Sequence, residues 1–513
     1  MRKEGTYLYL TAFIGGLVSL SVELAASSLL RPYFGTANLV WAAIIGLILL
    51  YLTVGYFIGG RWADRSPRQE TLYQVVAWAA FLIGIVPFVA YPVLQQVTQA
   101  FETYDAALLG GAFLTVLILF SVPVTLLGCI SPFILRLVIT DVTQSGKTAG
   151  KVYAISTIGS FLGSFLPDLL LIPTIGTRNT FVGLSLVLMG VAFVGLGRSH
   201  PRRLLVYLWM PIVVLLLALL LHGRPVKVAP ATIYETESAY NYIQVTEDEV
   251  GCRYLLLNEG QGIHSMYCPG RLRTLGPWDF FLVAPYLNAP PYSPDRVTRV
   301  ALVGLAAGTM ARQFTSVYGP IPIDGIEIDA EIVRVGQEYF GMHQPNLNVI
   351  IADGRFALTR SPHRYTIIGI DAYRLPYIPP HLTTVEFFQQ VRGHLTDDGV
   401  LAINVGHTPD DYRLVEAMLA TLLEVFPSAH VIDVPQSFNA VVFATVQPTN
   451  AGNLLLNLPQ LEDNDFLYQT TLQAAAHLHF LTPGSLVFTD DRASIELLTN
   501  ALILDYIQER ILP

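Results

Sequence analysis

Val300-Ala301-Leu302-Val303-Gly304-Leu305-Ala306-Ala307-Gly308 is the segment around which this chain is organised. Its first four residues form a short, wholly apolar run of the kind that parallel sheets bury on both faces. Gly304 and Gly308 then mark a turn into a helix from Thr309, where a backbone lacking Cβ atoms can approach a ligand. A glycine pair of this kind is frequent by chance, so its weight comes from its surroundings. A second strand, 321–327, ends in Glu327-Ile328-Asp329, and a helix follows over 330–340. A third strand, 349–352, runs into Asp353-Gly354, and a fourth, 365–371, delivers Asp371. A helix over 384–395 and a strand over 400–405 follow, with closing strands at 431–434 and 440–446 and a helix over 461–478. Such alternation predicts a parallel, doubly wound, Rossmann-like α/β sheet whose ligand lies outside the carboxyl ends of the strands. Gly304, Gly308, Glu327, Asp353, Gly354 and Asp371 all fall there.

What precedes this domain is of another kind. The 513 residues leave room for two or three domains. A hydrophobic share of 52%, a charged share of 13% and a mean hydropathy of +0.49 are too apolar for an ordinary soluble enzyme. The surplus lies in the first 222 residues, as seven apolar runs at about 7–30, 39–60, 72–92, 106–135, 152–173, 180–197 and 204–222. These approach the ~20 residues that cross a bilayer. The expected organisation is an α-helical multi-span membrane bundle of about seven helices over 1–223, a small antiparallel β-sheet over 224–275, and the α/β domain over 276–513. The first run is too long, and too closely followed by others, for a cleavable signal peptide. A net charge of −9 and the lack of a basic tract argue against nucleic acid as a partner.

The loops suggest an orientation. Arg2, Lys3, Arg61, Arg65, Arg68, Arg136, Lys147, Lys151, Arg198, Arg202 and Arg203 fall at the N-terminus and in the second, fourth and sixth loops. The remaining loops supply only Arg31 and Arg178. Positive charge stays cytoplasmic, so the N-terminus is expected inside, and seven crossings put everything after His222 outside. Splitting the long fourth run, which contains Pro123 and Pro132, would give eight crossings and an inward domain, but it would export the basic fourth loop. Glu23 and Asp168 stand within apolar runs; a carboxylate there is costly and fits either a polar path through the bundle or an interhelical hydrogen bond. The small residues from Gly150 to Gly163 predict close helix packing.

Between bundle and α/β domain, alternating residues at 242–245, 254–257 and 262–266 read as strands, with Asn258-Glu259-Gly260-Gln261 as a turn. Cys252 and Cys268 lie symmetrically about that turn. Facing each other they would form a disulfide, which persists outside the cytoplasm; a register shift of one residue would leave two free thiols.

At the strand ends, Glu327 follows the glycine turn at about 20 residues, the spacing at which a carboxylate takes both ribose hydroxyls. A lone acid there can equally cap a helix, a part that suits Asp329. Asp353 beside Gly354 suits an adenine amino contact, and Asp371 faces the same cleft. In this order and spacing the set reads as a site for an adenosine-bearing cofactor. His407, His430, His477 and His479 show no metal-ligand spacing, and no metal is expected.

Here the chain resembles the spermidine synthase-like aminopropyltransferases, in the form fused to a multi-span membrane domain. The resemblance covers Tyr240 to about Glu496, and the loop Gly59-Gly60-Arg61-Trp62-Ala63-Asp64-Arg65 is similar to that of the fused members. Its most specific string is Ile370-Asp371-Ala372-Tyr373 with Ile378-Pro379-Pro380-His381-Leu382-Thr383-Thr384-Val385-Glu386-Phe387-Phe388; Thr489-Asp490-Asp491-Arg492-Ala493 is also similar. The resemblance implies a class I methyltransferase-like fold and a nucleoside site for S-adenosylmethionine, its decarboxylated form, or methylthioadenosine. Glu327 would hold the ribose, and Asp353 with Gly354 the adenine. Asp371 matches the aspartate that orients and deprotonates an attacking amine. The family's early Tyr-Gln pair stands here as Tyr240-Asn241 and its later Tyr-His pair as Trp278-Asp279, which implies cofactor contacts for Asn241 and Asp279.

Two departures concern the amine end. The family's glycine loop carries an aspartate for the cofactor's aminopropyl amine, where this chain has Ala307; the loss removes a charge-assisted bond of roughly 1.5–3 kcal/mol. The second acid of the family's Asp-Ser-x-Asp motif, which helps bind a polyamine, is Arg374. Both weigh against putrescine as the acceptor, and Arg374 suits a substrate carboxylate, such as that of intact S-adenosylmethionine, unless it is simply a surface residue of a loop. The expected activity is aminopropyl-type transfer with release of methylthioadenosine. A methyltransferase using S-adenosylmethionine, or a transporter or sensor that binds a nucleoside without turnover, are the alternatives. The expected partners are a small-molecule amine or other nucleophile, the lipid bilayer and a second copy of the chain.

Overall fold

The computed structural model describes residues 2–35, 38–102, 108–139, 142–222, 227, 231–258, 260, 262–374 and 376–511. The expected boundary at 223/224, the turn residues Glu259 and Gln261, and the side chains of Arg2 and Lys3 lie outside the described residues. Two compact units result: Met1–Ala229 with Glu235–Tyr242 and Asn258–Gly260, and Pro230–Tyr234 with Ile243–Leu257 and Gln261–Pro513.

The first unit is helical: α1 (Arg2–Phe34), α2 (Asn38–Arg65), α3 (Gln69–Glu102), α4 (Leu108–Val138), α5 (Ser145–Leu166), α6 (Ile172–Ser199), α7 (Pro201–Tyr207) and α8 (Trp209–Leu220). Among the described residues, six continuous helical stretches are long and apolar enough to cross a membrane, against seven apolar runs in the sequence. The difference is one stretch, Ser145–Ser199, which has 55 residues. At 1.5 Å per residue it would measure ~80 Å, far more than a hydrocarbon core of ~30 Å. It folds back instead. Gly176 has a φ of +79°, which breaks α6 near its start, and the Thr177 N–H beyond the break donates to Glu237 Oε2 at 2.6 Å. Lys151, near the start of the stretch, lies over the Tyr9 ring at 4.3 Å, and Arg198, at its end, over the Tyr7 ring at 4.4 Å. Both ends therefore reach the same end of α1, and the bundle has seven legs.

Packing fixes which ends lie together. Gly159 and Gly163 let α5 approach α1 so closely that a Cβ would come 2.0 Å from the Phe13 carbonyl oxygen and 2.3 Å from that of Leu17. Ser21 Oγ donates to Gly163 O at 3.0 Å and Ser160 Oγ to Gly16 O at 3.1 Å, the polar links available to helices that gain little from apolar contact. Arg136 Nε meets Asp64 at 3.2 Å, joining the C-terminal ends of α2 and α4. Trp209 packs on Phe81 of α3 and Val214 beside Gly84, so α8 runs parallel to α3. Arg178 donates to Leu221 O at 2.8 Å, so α8 ends beside the start of the second leg of the Ser145–Ser199 stretch, opposite the end that holds Tyr7 and Arg198.

Two sheets carry the rest. A four-stranded antiparallel sheet has the order β1 (Thr232–Glu237), β2 (Tyr242–Glu247), β3 (Arg253–Leu257), β4 (Ile263–Tyr267). Arg253 pairs with Tyr267, which brings the flanking Cys252 and Cys268 together as a disulfide with Cα atoms 4.2 Å apart. After α9 (Pro277–Phe281) come β5 (Val300–Val303), α10 (Thr309–Tyr318), β6 (Ile323–Glu327), α11 (Ala330–Tyr339), β7 (Leu347–Ile351), α12 (Gly354–Arg360), β8 (Tyr365–Ile370), α13 (Val385–Gly393) and β9 (Leu395–Gly406). The chain ends in α14 (Arg413–Leu423), β10 (Ser428–Asp433), β11 (Asn439–Thr445), α15 (Asn453–Leu456), α16 (Asp465–Ala476), β12 (Leu478–His479) and α17 (Ile495–Ile511).

The eight-stranded sheet has the order β12-β10-β11-β9-β8-β5-β6-β7. Strands β9, β8, β5, β6 and β7 are parallel, and β10, β11 and β12 add antiparallel partners. β5 and β8 are buried along their whole length, as a sheet covered on both faces requires. The strand order reverses between β5 and β8, which opens a crevice at their carboxyl ends. The small sheet packs Ile243, Val245, Leu255 and Leu257 against Ala307, Ile332, Val335 and Phe340, and so braces the glycine turn.

Candidate active site

The crevice begins where β5 and β8 end. Gly304 has a φ of +87°, and a Cβ there would come 2.3 Å from the Asp371 carbonyl oxygen. Only glycine lets the two strand ends abut. Asp371 N–H donates to Val303 O at 2.8 Å, which fixes the backbone at this point. The turn continues through Ala306, at φ +48°, to Gly308, at +88°, which opens α10. Ala306 N–H donates to Glu327 Oε2 at 2.9 Å, and Asp329 N–H to Glu327 Oε1 at 3.1 Å. Glu327 is only 8% exposed, and burial pushes its carboxyl up to about 7 against the pull of those N–H groups. Asp329 caps α11 through the Glu331 N–H, which leaves Glu327 as the acid of the pair that faces the turn.

Asp371 is half-buried and held from two sides. Trp278 Nε1 donates to its Oδ2 at 2.8 Å and Asn404 Nδ2 to its Oδ1 at 2.9 Å. Burial raises its carboxyl above the usual range, while the two hydrogen bonds work the other way. Tyr373 Oη donates to Asn404 O at 3.0 Å. Asn404 is buried, and its Oδ1 finds no hydrogen-bond partner. An acceptor left in that state costs ~1–3 kcal/mol, so the crevice suits a ligand that brings N–H or O–H donors.

The other expected residues divide. Asp353 caps α12 through the Phe356 N–H at 3.0 Å, and its Oδ2 meets His381 Nε2 at 2.7 Å. Burial raises its carboxyl, yet these partners hold it below the ordinary value. Gly354 lies where a Cβ would come 2.5 Å from Val303 Cγ1, so α12 starts close against β5. Asp279 commits its carboxylate to Thr274, Leu275 and Gln313, through bonds of 2.6–3.1 Å that hold the turn before α9. Asn241 belongs to the first unit, where its Oδ1 accepts from Asn258 Nδ2 at 3.0 Å. Arg374 is exposed on a tight turn closed by backbone bonds with Tyr377. Ala307 is buried, and its N–H donates to Ser265 Oγ at 2.9 Å.

Of the two side chains that grip Asp371, the sequence names Trp278 only as the counterpart of the family's tyrosine and does not point to Asn404. Asn404 carried a signal: it is the lone polar residue in the run Leu401-Ala402-Ile403-Asn404-Val405 of a buried strand. The string Thr489-Asp490-Asp491 meets α12, where Arg355 pairs with Asp490 through two bonds at 2.7 and 2.8 Å and Thr384 Oγ1 donates to the same carboxylate. Among the described residues no three His, Cys, Asp or Glu side chains converge as a metal site.

Comparison with known proteins now joins the geometry. Residues 288–455 match the model of the spermine/spermidine synthase domain. Over this segment the α/β unit is spermidine synthase-like. A probable polyamine aminopropyl transferase of Bifidobacterium longum is 30% identical over 283 residues, covering 52% of this chain and 61% of that protein. A polyamine aminopropyltransferase of Vibrio vulnificus is 28% identical over 244 residues, covering 46% of this chain and 79% of that protein. An eEF1A lysine and N-terminal methyltransferase of Mus musculus is 28% identical over 173 residues, covering 32% of this chain and 24% of that protein. The chain thus spans less than two thirds of the first of these relatives. In this spermidine synthase-like unit the crevice holds Glu327 and Asp371 at the strand ends and Ala307 in the glycine turn.

Proposed function

We propose that the chain is a membrane-bound transferase of the aminopropyltransferase type, with S-adenosylmethionine or its decarboxylated form as co-substrate and Asp371 as base. The observation that carries this reading is the carboxylate of Asp371, gripped by Trp278 and Asn404 where β5 and β8 abut. A sulfonium nucleoside supplies an electrophilic carbon and a good leaving group. The acceptor nitrogen forms a bond to the carbon next to sulfur, the C–S bond breaks with its electron pair going to sulfur, and methylthioadenosine leaves. The proton of the acceptor passes to Asp371, whose raised affinity for a proton suits the task. Positioning supplies most of the acceleration, because the sulfonium is already activated. Glu327 would accept from the ribose hydroxyls and Asp353 from the adenine amino group, once His381 yields its place.

At the amine end, Ala307 and Arg374 favour an acceptor other than a plain diamine, and a substrate carboxylate would pair with Arg374. The orientation we propose has the bundle's basic end in the cytoplasm and the crevice outside, supported by the distribution of Lys and Arg and by the Cys252–Cys268 disulfide. A second reading is methyl transfer from S-adenosylmethionine in the same crevice. It is favoured by the uncharged Ala307 and by the similarity to a protein methyltransferase.

The test is product analysis. The purified full chain is incubated with S-adenosylmethionine or its decarboxylated form and a panel of amines, followed by mass spectrometry. Methylthioadenosine is expected, at least a hundredfold less in Asp371→Asn. S-adenosylhomocysteine would move the assignment to methyl transfer, and tight nucleoside binding without any product would leave a sensor or transporter.

A further inference from the structure

We infer that the helical bundle carries a second binding site, at its basic end, for a phosphate group. A cavity of about 630 Å³ opens there between the ends of α1, α3 and α6, lined chiefly by Tyr7, Arg68, Glu70, Tyr73, Arg198 and His200. These residues take no part in the crevice chemistry and precede the segment 288–455 that matches the synthase domain.

The charges in this cavity are unequal. Glu70 is 7% exposed, and its carboxylate is already matched: His200 Nε2 lies at 3.2 Å, Arg203 Nη1 pairs with the same group, and Gln74 Nε2 donates at 3.3 Å. Among the described residues, Arg68 and Arg198 remain as lining cations without a carboxylate partner. The Arg198 guanidinium lies over the Tyr7 ring at 4.4 Å, and the Tyr7 hydroxyl is tied to Val191 O at 2.6 Å. Stacking uses the face of a guanidinium and leaves its five in-plane N–H donors for a ligand. Gly195 lets the Tyr73 ring pack directly on α6, where a Cβ would come 2.4 Å from it.

An arginine fork in such a place selects phosphate, which it can bind with two parallel bonds. The position selects further. Basic pockets between spans at the polar end of a bundle are where anionic headgroups sit. The space also exceeds what a bare phosphate ion would fill. The shared chemistry is therefore a phosphate, carried by an anionic lipid or free in solution.

The test uses the full chain in maltoside micelles, which contain no phosphate. Thermal unfolding is followed while either inorganic phosphate or phosphatidylglycerol is added. A ligand that binds the folded state raises Tm with concentration. A rise with phosphatidylglycerol alone assigns a lipid; a rise with inorganic phosphate as well assigns the free ion. In either case Arg198→Gln and, separately, the exposed Arg68→Gln should need at least tenfold more ligand for the same rise. Arg61→Gln, a basic residue of α2 outside the cavity, should behave as wild type. The inference is overturned if neither ligand raises Tm, if both cavity variants respond as wild type, or if Arg61→Gln loses the response equally.

Discussion

Glu327 shows how the fold tunes the side chain that the proposed reading places at the ribose. Two backbone N–H groups point at its carboxylate, yet burial dominates and lifts the group to about 7. A buried acid that holds its proton more tightly than the unfolded chain does contributes most to stability at low pH. That contribution is lost as pH rises from the ordinary carboxylate range through about 7. Ligand binding runs the opposite way, because a ribose hydroxyl donates to the ionised form. Methylthioadenosine is therefore expected to bind about tenfold more weakly at pH 6 than at pH 8, and Glu327→Gln should be weak at both. Isothermal titration at the two pH values checks this, and equal wild-type affinities would remove Glu327 from the ribose site. Asp353, held below the ordinary carboxylate value, stays ionised throughout and contributes no such slope.

Among the elements, the glycine turn and the disulfide hairpin make the sharpest claims. Gly304 combines a positive φ with a 2.3 Å approach to the Asp371 carbonyl. Gly319, at the end of α10, has a φ of +77° with nothing within 4 Å. Gly319→Ala should cost only backbone strain, about 1–2 kcal/mol. Gly304→Ala must also part β5 from β8, so it should cost at least ~2 kcal/mol more and abolish nucleoside binding. Urea titrations of both variants separate strain from clash; equal losses would show that the close approach carries no weight. The disulfide closes a loop with a sequence separation of 16, for which loop-closure entropy gives ~3 kcal/mol. Cys252→Ser with Cys268→Ser should lower the unfolding free energy by about that amount, and reductant should then have no further effect. The hairpin and strand-helix alternation were legible because both rest on local periodicity and turn residues. Residues that meet their partners through space were not: Trp278 is 93 positions from Asp371 and Asn404 is 33.

At the level of the molecule, the bundle sets the sidedness. The seven legs leave the Arg198 end of α6 and the Leu221 end of α8 at opposite ends of the bundle. The orientation proposed above has the basic end in the cytoplasm and the crevice outside. A membrane-impermeant maleimide applied to intact cells after mild impermeant reduction should then label Cys252 and Cys268, with Cys129 protected by burial inside the bundle. Labelling that appears only after lysis would put the crevice in the cytoplasm. Composition and apolar runs alone established that a helical bundle precedes an α/β domain, and spacing alone set Gly304, Glu327, Asp353 and Asp371 at strand ends, because these follow from periodicity along the chain. Three things followed from packing in space. Gly176, rather than a loop, makes the break between the two runs that the sequence separates, His381 covers Asp353, and Trp278 with Asn404 fixes the Asp371 carboxylate. Each depends on which distant side chain fills a given buried position, and residue order along a chain does not encode that directly.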